Sequence, residues 1–335
     1  MPCMLLDGFG RTARDLRVSL TDRCNLRCTY CMPAEGLAWQ PVEETLTDDE
    51  MVRLIRIAVE RLGVTKIRFT GGEPLLRGGL EHIVAASAAL APRPELALTT
   101  NGLGLDKRVD ALAAAGLDRV NVSLDSLDRH RYAQLSRRDR LDDVLKGIAA
   151  ADRAGLRPVK INAVVMRGVN EPDIVPLARF CLERGYELRF IEQMPLGPKG
   201  EWDRGSMVTA EEILATLSAS FRLSAAEEAR GAAPAQLWHV AAGGSQPGGR
   251  IGVIASVTHP FCGDCDRTRV TSDGQVRTCL FSRTETDLRS ILRGGGTDDD
   301  VVSAWTGAHR AKPAAHGIDE VGFVQPDRTM SAIGG

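Results

Sequence analysis

The chain has 335 residues, enough for one large and one smaller domain, and its 43% hydrophobic and 26% charged residues are ordinary for a globular protein. A net charge of −2 at pH 7 provides no general attraction to nucleic acid or to a membrane surface. No apolar run approaches the roughly 18 residues of a membrane span, and the N-terminal residues lack the apolar core of a signal peptide. We therefore expect a cytoplasmic protein with no nucleic-acid partner and no membrane association.

Residues 14–195 alternate short β-rich runs with helical stretches. Six strand candidates are rich in Val, Ile and Leu, as in a buried parallel sheet, and cover residues 15–21, 66–72, 95–101, 119–125, 158–166 and 186–194. Helices are predicted between them, at 48–62, 79–91, 105–115, 128–136, 141–154 and 171–184. The first helix has the clearest start, because Thr47 and Glu50 match a capping box. These repeats predict an α/β fold, either open or curled into a barrel, with ligands at the carboxyl ends of the strands.

The pattern changes after about residue 205. We predict a first domain over residues 1–205 and a smaller C-terminal domain over residues 206–335. A helix is expected at 209–219, and the Ala-, Gly- and Pro-rich residues 224–250 are interpreted as a loose surface excursion. Two further helices are predicted around the sequence GGGTDDD, followed by a mobile tail that ends in MSAIGG.

Six of the eight cysteines form two sets of three, one near each end of the chain. The first set is Cys24, Cys28 and Cys31, and the second set is Cys262, Cys265 and Cys279. Thiolates select zinc or iron–sulfur clusters, and both a structural zinc site and a simple electron-transfer cluster take four protein ligands. Three ligands leave one coordination position open in each set, which indicates an enzyme with two reactive centres. Of the other cysteines, Cys181 fits a buried helix position and Cys3 a flexible tail.

The second predicted strand ends in the sequence TGGEP, residues 70–74. Two glycines allow a ligand to approach the backbone closely, and the Glu73 carboxylate has the charge to hold an ammonium group. A simple turn is the alternative for this motif when it is taken alone. A zinc knuckle that lacks its fourth ligand is the corresponding alternative for the first cysteine set.

Basic residues adjoin the second cysteine set and recur within the predicted strands. They are Arg17, Arg68 and Lys160 on the strands, and Arg267 and Arg269, with Thr268 between them, beside the cysteines. Guanidinium groups present forked donors that suit phosphate, and basic side chains inside a barrel need an anion to offset their burial. A triphosphate would meet this need. A solvated charged face is the alternative.

The cysteine loop and the TGGEP sequence resemble the radical S-adenosylmethionine (SAM) superfamily, and the whole chain resembles its GTP 3',8-cyclase family. The similarity covers LRVSLTDRCNLRCTYCMP, KIRFTGGEPLLR, LTTNG, NVSLDS, VKINAVVMRGVN, RFIEQMP, FCGDCDRTRVTSDGQVRTCLF and the terminal double glycine. It implies an incomplete (β/α)6 radical SAM barrel with a smaller C-terminal domain that carries a second iron–sulfur cluster. One departure is Asp266, beside the second cysteines, where the family has Asn.

The resemblance also implies roles for individual residues. The first cysteine set would hold the [4Fe–4S] cluster that binds SAM, and the second set a further [4Fe–4S] cluster that meets the purine of GTP. The implied SAM contacts are Tyr30, Gly72, Glu73, Ser123 and Met194. The implied GTP contacts are Arg17, Arg68, Thr99, Lys160, Arg267, Thr268 and Arg269. Gly334 and Gly335 resemble the family's tail, which inserts toward the active site.

The implied reaction is the radical SAM cyclisation of GTP to (8S)-3',8-cyclo-7,8-dihydroguanosine 5'-triphosphate, the first step of molybdenum cofactor biosynthesis. A 5'-deoxyadenosyl radical would take hydrogen from C3' of the ribose, and the carbon radical would then attack C8 of guanine. The implied partners are GTP, an electron donor such as flavodoxin or ferredoxin, and a downstream cyclic pyranopterin monophosphate synthase. A homodimer is compatible with the sequence, which does not determine the oligomeric state.

Two alternatives remain open at this point. The first is another radical SAM enzyme with an auxiliary cluster, such as a peptide-modifying maturase, and a substrate test would separate it from the cyclase. The second is a noncatalytic zinc-binding module that recognises nucleic acid, which a net charge of −2 supports poorly.

Overall fold

A computed structural model of the chain describes residues 3–244 and 246–334. Its strands are β1 Asp15–Ser19, β2 Lys66–Thr70, β3 Glu95–Thr100, β4 Arg119–Ser123, β5 Lys160–Val165, β6 Glu187–Glu192, β7 Leu223–Ala225, β8 Gln236–Val240, β9 Gly249–Ile254, β10 Arg267–Val270, β11 Gln275–Arg277 and β12 Thr286–Asp287. Its α-helices are α1 Asp48–Glu60, α2 Leu80–Ala88, α3 Leu105–Ala114, α4 Arg129–Ser136, α5 Leu141–Arg153, α6 Ile174–Arg184, α7 Ala210–Ser218, α8 Arg289–Arg293, α9 Asp298–Arg310 and α10 Met330–Ile333. No helix within these ranges is long and apolar enough to cross a membrane.

The strands form one sheet in the order β12-β11-β10-β1-β2-β3-β4-β5-β6-β9-β8-β7. Strands β1 to β6 are parallel neighbours in chain order, which confirms the predicted α/β class. Strands from the C-terminal part extend the sheet on both sides, with β10 parallel to β1 and β9 parallel to β6. The outermost strands, β12 and β7, do not pair with each other in the described part of the chain, so the sheet is an incomplete barrel.

The sheet is strongly curved, because side chains from its first and sixth parallel strands line one cavity. Arg17 on β1 and Arg189 on β6 line the same cavity, whereas a flat sheet would hold these two strands about 24 Å apart. Side chains alternate between the two faces, so the apolar partners Leu16 and Val18 belong to the hydrophobic core. The concave face is thus polar and the helix-covered face apolar.

The start of α1 agrees with the sequence prediction. The backbone N–H of Glu50 donates to the Thr47 hydroxyl at 3.2 Å, and the Glu50 carboxylate accepts from the backbone N–H of Thr47 at 2.8 Å. Met51, Leu54 and Ile55 are buried on the inner face of this helix. Cys181 is likewise buried on α6, as the sequence predicts for a small apolar residue.

Residues 224–250 correct the expectation of a loose excursion. Strands β7 and β8 form an antiparallel pair, and β8 pairs antiparallel with β9, so this stretch extends the sheet beyond β6. The sequence QLWHV of β8 carries strand-forming residues, but the surrounding Ala, Gly and Pro residues conceal that signal.

The C-terminal tail is also more ordered than the sequence predicts. Ser331 and Ile333 on α10 are buried, and the backbone N–H of Met330 donates to the carbonyl of Leu196 at 3.1 Å. The apolar contact of Ile333 with the cluster around Leu196 explains why this end docks. Gly335 lies outside the described residues.

Removing the cap of α1 tests how much local sequence contributes to this fold. Replacement Thr47→Ala should lower the free energy of unfolding by about 1 kcal/mol, because the N–H of Glu50 loses its acceptor. Replacement Thr216→Ala is the matched control, since the Thr216 hydroxyl bonds only to a helix carbonyl on the exposed side of α7. Denaturant unfolding of both variants would measure the difference, and equal stabilities would contradict the capping role.

Candidate active site

One cavity is enclosed by the concave face of the sheet and by the loops at its carboxyl edge. Each of the six parallel strands contributes to the wall, through Arg17, Arg68, Thr99, Ser123, Asn162 and Arg189. The loops that follow these strands add Cys24, Gly72, Asn101 and Asp125. Ligands are therefore expected where the sequence analysis predicted them, at the carboxyl ends of parallel strands.

The first cysteine set lies in the loop after β1 and lines this cavity. The backbone carbonyl of Cys28 accepts hydrogen bonds from the N–H groups of Cys31 at 2.9 Å and Met32 at 3.1 Å, which folds the loop back on itself. The Arg137 guanidinium holds the loop from outside, donating to the carbonyls of Arg27 at 3.2 Å and Met32 at 3.0 Å. The loop is thus braced by the end of α4, and its thiols face inward.

The chemistry of these thiols fits an iron–sulfur cluster. Burial raises the pKa of each thiol, and the charge of Cys24 adds to the effect at Cys31, whose pKa rises to about 12. The thiols would therefore be ionised only in contact with a positively charged centre. Among the described residues, no group of three His, Cys, Asp or Glu side chains is arranged to hold a single metal ion. Three thiols that face one cavity are a donor set that fits an iron–sulfur cluster.

Gly72 brings the second strand against the cysteine loop. Its N–H donates to the carbonyl of Thr21 at 2.7 Å. A Cβ atom at this position would lie 2.3 Å from the carbonyl oxygen of Arg23 and 2.5 Å from that of Asp22. Only glycine permits this backbone approach, so Gly72 sets the distance between the loop and the end of β2.

Glu73 lies behind the cavity rather than in its described wall. One carboxylate oxygen accepts from the Leu75 N–H at 3.0 Å and from the Thr100 hydroxyl at 2.7 Å, and the other accepts from the Asn101 N–H at 2.7 Å. These hydrogen bonds favour the ionised carboxylate and lower its pKa, but burial has the larger effect and raises the pKa of Glu73 to about 7. In this geometry Glu73 joins the ends of β2 and β3, and its predicted contact with an ammonium group has no direct support.

Asn101 is the residue that reaches the first cysteine set from this side. Its side-chain amide donates to Asn25 at 2.7 Å and lies 3.9 Å from the sulfur of Cys24. The sequence analysis assigned no role to Asn101, although this residue ends the third predicted strand, where ligands were expected.

Tyr30, Ser123 and Met194 all line the cavity, as the implied SAM contacts require. The Tyr30 hydroxyl donates to the Asp125 carboxylate at 2.8 Å, and the other oxygen of Asp125 accepts from the Val164 N–H at 2.9 Å. Burial raises the pKa of Asp125 to about 6. Asp125 ends the fourth predicted strand, where ligands were expected, but it was given no role by the sequence analysis; in the structure it joins the cysteine loop to β4 and β5.

Three arginines form a row across adjacent strands on the concave face. Arg269 on β10 is in register with Arg17 on β1, which is in register with Arg68 on β2. Neighbouring strands lie about 4.8 Å apart, so these side chains repel one another. Burial, together with the charges of Arg17 and Arg267, lowers the pKa of Arg269 to about 9. The carboxylate of Asp15, 3.9 Å from Arg68, offsets only part of this charge.

Arg189 on β6 belongs to the same group and was missed by the sequence prediction. It donates to Asn121 at 2.8 Å, while its Nε atom is buried without a hydrogen-bond partner among the described residues. The Nε atoms of Arg17 and Arg68 are also buried and unpartnered there. The signal that identified Arg17 and Arg68 was an arginine in the middle of an apolar strand. The sequence ELRFIE of β6 carries the same signal at Arg189.

Two predicted GTP contacts lie outside the described wall of the cavity. The Lys160 ammonium lies 2.7 Å from the Glu187 carboxylate, nearer the amino ends of the strands. Thr268 points to the helix side of β10, where its hydroxyl accepts from the Trp305 indole N–H at 2.9 Å. Strand alternation explains the position of Thr268. It lies between Arg267 and Arg269, whose side chains face the cavity, so its own side chain faces the opposite side of the sheet.

The second cysteine set lines a smaller cavity that adjoins the first. The wall that the two cavities share contains Met194, Ser256, Phe261, Arg267, Arg269 and Leu280. Burial opposes ionisation of Cys265, but the charges of Arg267 and Lys312 outweigh it and lower the pKa of Cys265 to about 7. Arg269, at one end of the arginine row, thus lines both cavities, and each cavity offers three thiols. Asp266 is not in the described wall of either cavity.

Comparisons with known proteins agree with this geometry. The family model of the radical SAM superfamily matches residues 18–181, and the model described as Molybdenum Cofactor Synthesis C matches residues 186–318. GTP 3',8-cyclase of Corynebacterium glutamicum is 66% identical over 99% of this chain and 89% of its own length. GTP 3',8-cyclase 2 of Mycobacterium tuberculosis is 61% identical over 99% of this chain and 92% of its own. The chain belongs to the GTP 3',8-cyclase family.

Membership in the radical SAM superfamily implies a [4Fe–4S] cluster and SAM. The solved structure of Streptococcus suis SuiB bound to S-adenosylmethionine has a TM-score of 0.59 at 15% identity, covering 96% of this chain and 76% of SuiB. SuiB bound to the precursor peptide SuiA has a TM-score of 0.55 at 16% identity, with coverage of 92% and 67%. These likenesses confirm the radical SAM fold.

The tail of this cyclase family member lies inside the site. Arg269 donates to the carbonyl of Gly334 at 2.5 Å, and a Cβ atom on Gly334 would lie 2.2 Å from the Ser19 hydroxyl oxygen. Ser331 of the tail lines the same cavity as Cys31, and its backbone favours the ionised form of that thiol, which opposes the rise in its pKa. The tail therefore contacts both the arginine row and the first cysteine set.

Replacement Gly72→Ala tests the close approach of β2 to the cysteine loop. The added methyl group has only backbone atoms around it, so the loop must move and the variant should lose iron at the first site and SAM cleavage. Gly78→Ala is the matched control, because its Cβ would meet no atom within 4 Å. Iron analysis and 5'-deoxyadenosine assays would compare them, and a Gly72→Ala variant with normal iron and cleavage would refute the role of Gly72.

Proposed function

We propose that this chain is a GTP 3',8-cyclase that converts GTP to (8S)-3',8-cyclo-7,8-dihydroguanosine 5'-triphosphate in the first step of molybdenum cofactor biosynthesis. The observation that carries the proposal is the buried row of Arg269, Arg17 and Arg68 between two three-cysteine sites. Relatives named GTP 3',8-cyclase, 59–66% identical over almost the full chain, support the same activity.

The arginines on the concave face are the proposed triphosphate site. Arg17, Arg68 and Arg189 each have a buried Nε–H without a partner among the described residues, and a phosphate oxygen would supply the missing acceptor. Arg267 and Arg269 contribute from β10. Thr99 and Lys160 remain proposed contacts of the triphosphate. Lys160 would leave its ion pair with Glu187 to bind a phosphate group. Thr268 contributes through the strand that positions its two arginine neighbours.

The first cysteine set is proposed to hold the cluster to which SAM binds. When bound, the cluster and SAM supply the 5'-deoxyadenosyl radical of this superfamily. Tyr30 and Asp125 hold the cysteine loop against β4 and β5, and Gly72, a proposed SAM contact in the cavity wall, lets the end of β2 pack against the backbone of that loop. Ser123 and Met194 line the same space and are proposed SAM contacts. The docked tail helps to exclude water from this space.

Cys262, Cys265 and Cys279 are proposed to hold a second [4Fe–4S] cluster that positions the purine of GTP. The shared wall of the two cavities supports this arrangement, since one molecule with a base and a triphosphate can contact both. Holding the base and the triphosphate at separate points orients the ribose between them, so that C3' faces the first site.

The proposed partners follow from the chemistry. A one-electron donor such as flavodoxin or ferredoxin would reduce the protein, and a cyclic pyranopterin monophosphate synthase would consume the product. A homodimer remains a proposal as well.

Isotope transfer tests the proposed reaction. Anaerobically reconstituted protein with dithionite, SAM and GTP deuterated at C3' should yield deuterated 5'-deoxyadenosine, which mass spectrometry detects. Cys24→Ala should abolish 5'-deoxyadenosine, and Cys262→Ala should block cyclisation while leaving slow uncoupled cleavage. Only unlabelled 5'-deoxyadenosine would exclude C3' as the source of hydrogen. Normal cyclisation by Cys262→Ala would exclude the role of the second site.

Replacement Arg189→Met tests the triphosphate site independently of the radical chemistry. Loss of one charged hydrogen-bond donor should weaken GTP binding about tenfold or more. Arg61→Met is the matched control, because Arg61 forms an exposed ion pair with Asp299 at the surface. Calorimetric titration with GTP would measure both Kd values, and an unchanged Kd for Arg189→Met would remove Arg189 from the site.

A further inference from the structure

We propose that Lys312 is a positioning residue of the second cysteine site, where its ammonium group neutralises the sulfur of Cys265 and raises the reduction potential of the centre bound there. The inference rests on the second cluster of the proposed function. It concerns a residue that neither the motif pattern nor the cavity walls identify.

Lys312 is almost fully buried, with 4% of its surface exposed, and its ammonium group makes three contacts. The Nζ atom lies 3.1 Å from the carbonyl oxygen of Cys265, 3.0 Å from that of Arg267 and 3.4 Å from the Cys265 sulfur. An ammonium group has three donors, so all of them are used. One of the three is directed at a cluster ligand.

The surrounding chain fixes Lys312 in this position. The backbone N–H of Lys312 donates to the carbonyl of His309 at 3.0 Å, immediately after α9 ends. Arg11 donates to the carbonyls of Pro313 at 2.6 Å, Ala314 at 2.7 Å and Cys262 at 2.6 Å. The segment that carries Lys312 is therefore tied to the same cysteine loop that the lysine contacts.

Charge balance shows why this contact matters. A buried ammonium group is unfavourable unless an anion lies nearby, and Lys312 has no carboxylate in ion-pair contact within the described residues. The thiolate of Cys265 is the anion in reach. Arg267 adds a second cation, with its Nε atom 3.4 Å from the same sulfur.

The first cysteine set lacks a comparable contact in the described chain. The amide of Asn101 lies 3.9 Å from the Cys24 sulfur, and the Arg27 guanidinium donates to the carbonyl of Cys24 at 2.7 Å and not to its sulfur. Positive charge and hydrogen bonds at a ligand sulfur stabilise the reduced form of a cluster, which carries one more electron. Lys312 should therefore act on the potential of the second centre and leave that of the first unchanged.

Potentiometric titration monitored by electron paramagnetic resonance tests this inference on the full-length holoprotein. Lys312→Met and Lys312→Gln remove the positive charge and should lower the midpoint potential of the second centre. Lys312→Arg keeps the charge, so its midpoint potential should stay close to that of the unchanged protein. The potential of the first centre should not move in any variant. Lys146→Met is the matched control, because Lys146 is an exposed lysine on α5 with 68% of its side chain accessible.

The outcomes separate this inference from the proposed function. A wild-type chain that takes up only one cluster would overturn the proposed second centre and this inference with it. Two clusters with an unchanged second potential in the neutral variants would overturn the inference alone. Loss of the second cluster from both neutral variants, with retention in Lys312→Arg, would also overturn it, because Lys312 would then hold the cluster rather than set its potential.

Discussion

Repulsion between guanidinium groups buried on the concave face of the sheet is the interaction on which the rest of this structure depends. Arg269, Arg17 and Arg68 are in register on three adjacent strands, so their charges cannot separate without disrupting the pairing of β10, β1 and β2. The fold offsets the repulsion with Asp15 and with the carbonyl of Gly334. The remaining uncompensated charge is what an anionic substrate would neutralise.

The same pairing explains why two distant parts of the chain share one site. Strand β10 begins just after Cys262 and Cys265 of the second cysteine set. It lies parallel to β1, which leads into the loop of the first cysteine set. Both cysteine sets are thereby placed around the arginine row. Because Arg269 also donates to the carbonyl of Gly334, the electrostatics of the site are linked to the docking of the tail.

The two cysteine sites differ in their electrostatic surroundings, although both offer three thiols. Burial raises the pKa of every thiol in the first set, whereas Arg267 and Lys312 lower that of Cys265 in the second. SuiB, which has been solved with a bound precursor peptide, shares the fold. Fold alone therefore does not select the substrate, and the basic lumen is the feature that favours a triphosphate.

The sequence by itself determined the local structure: the six parallel strands, the cap of α1, both cysteine sets and the inward arginines of β1 and β2. These follow from periodicity, propensity and spacing, which act over a few residues. Tertiary structure alone decided that β8 extends the sheet, that the tail docks, that Glu73 turns behind the cavity and that Lys312 reaches Cys265. Each of these depends on the register of strands or the direction of a side chain between segments far apart in the chain, which no local pattern encodes.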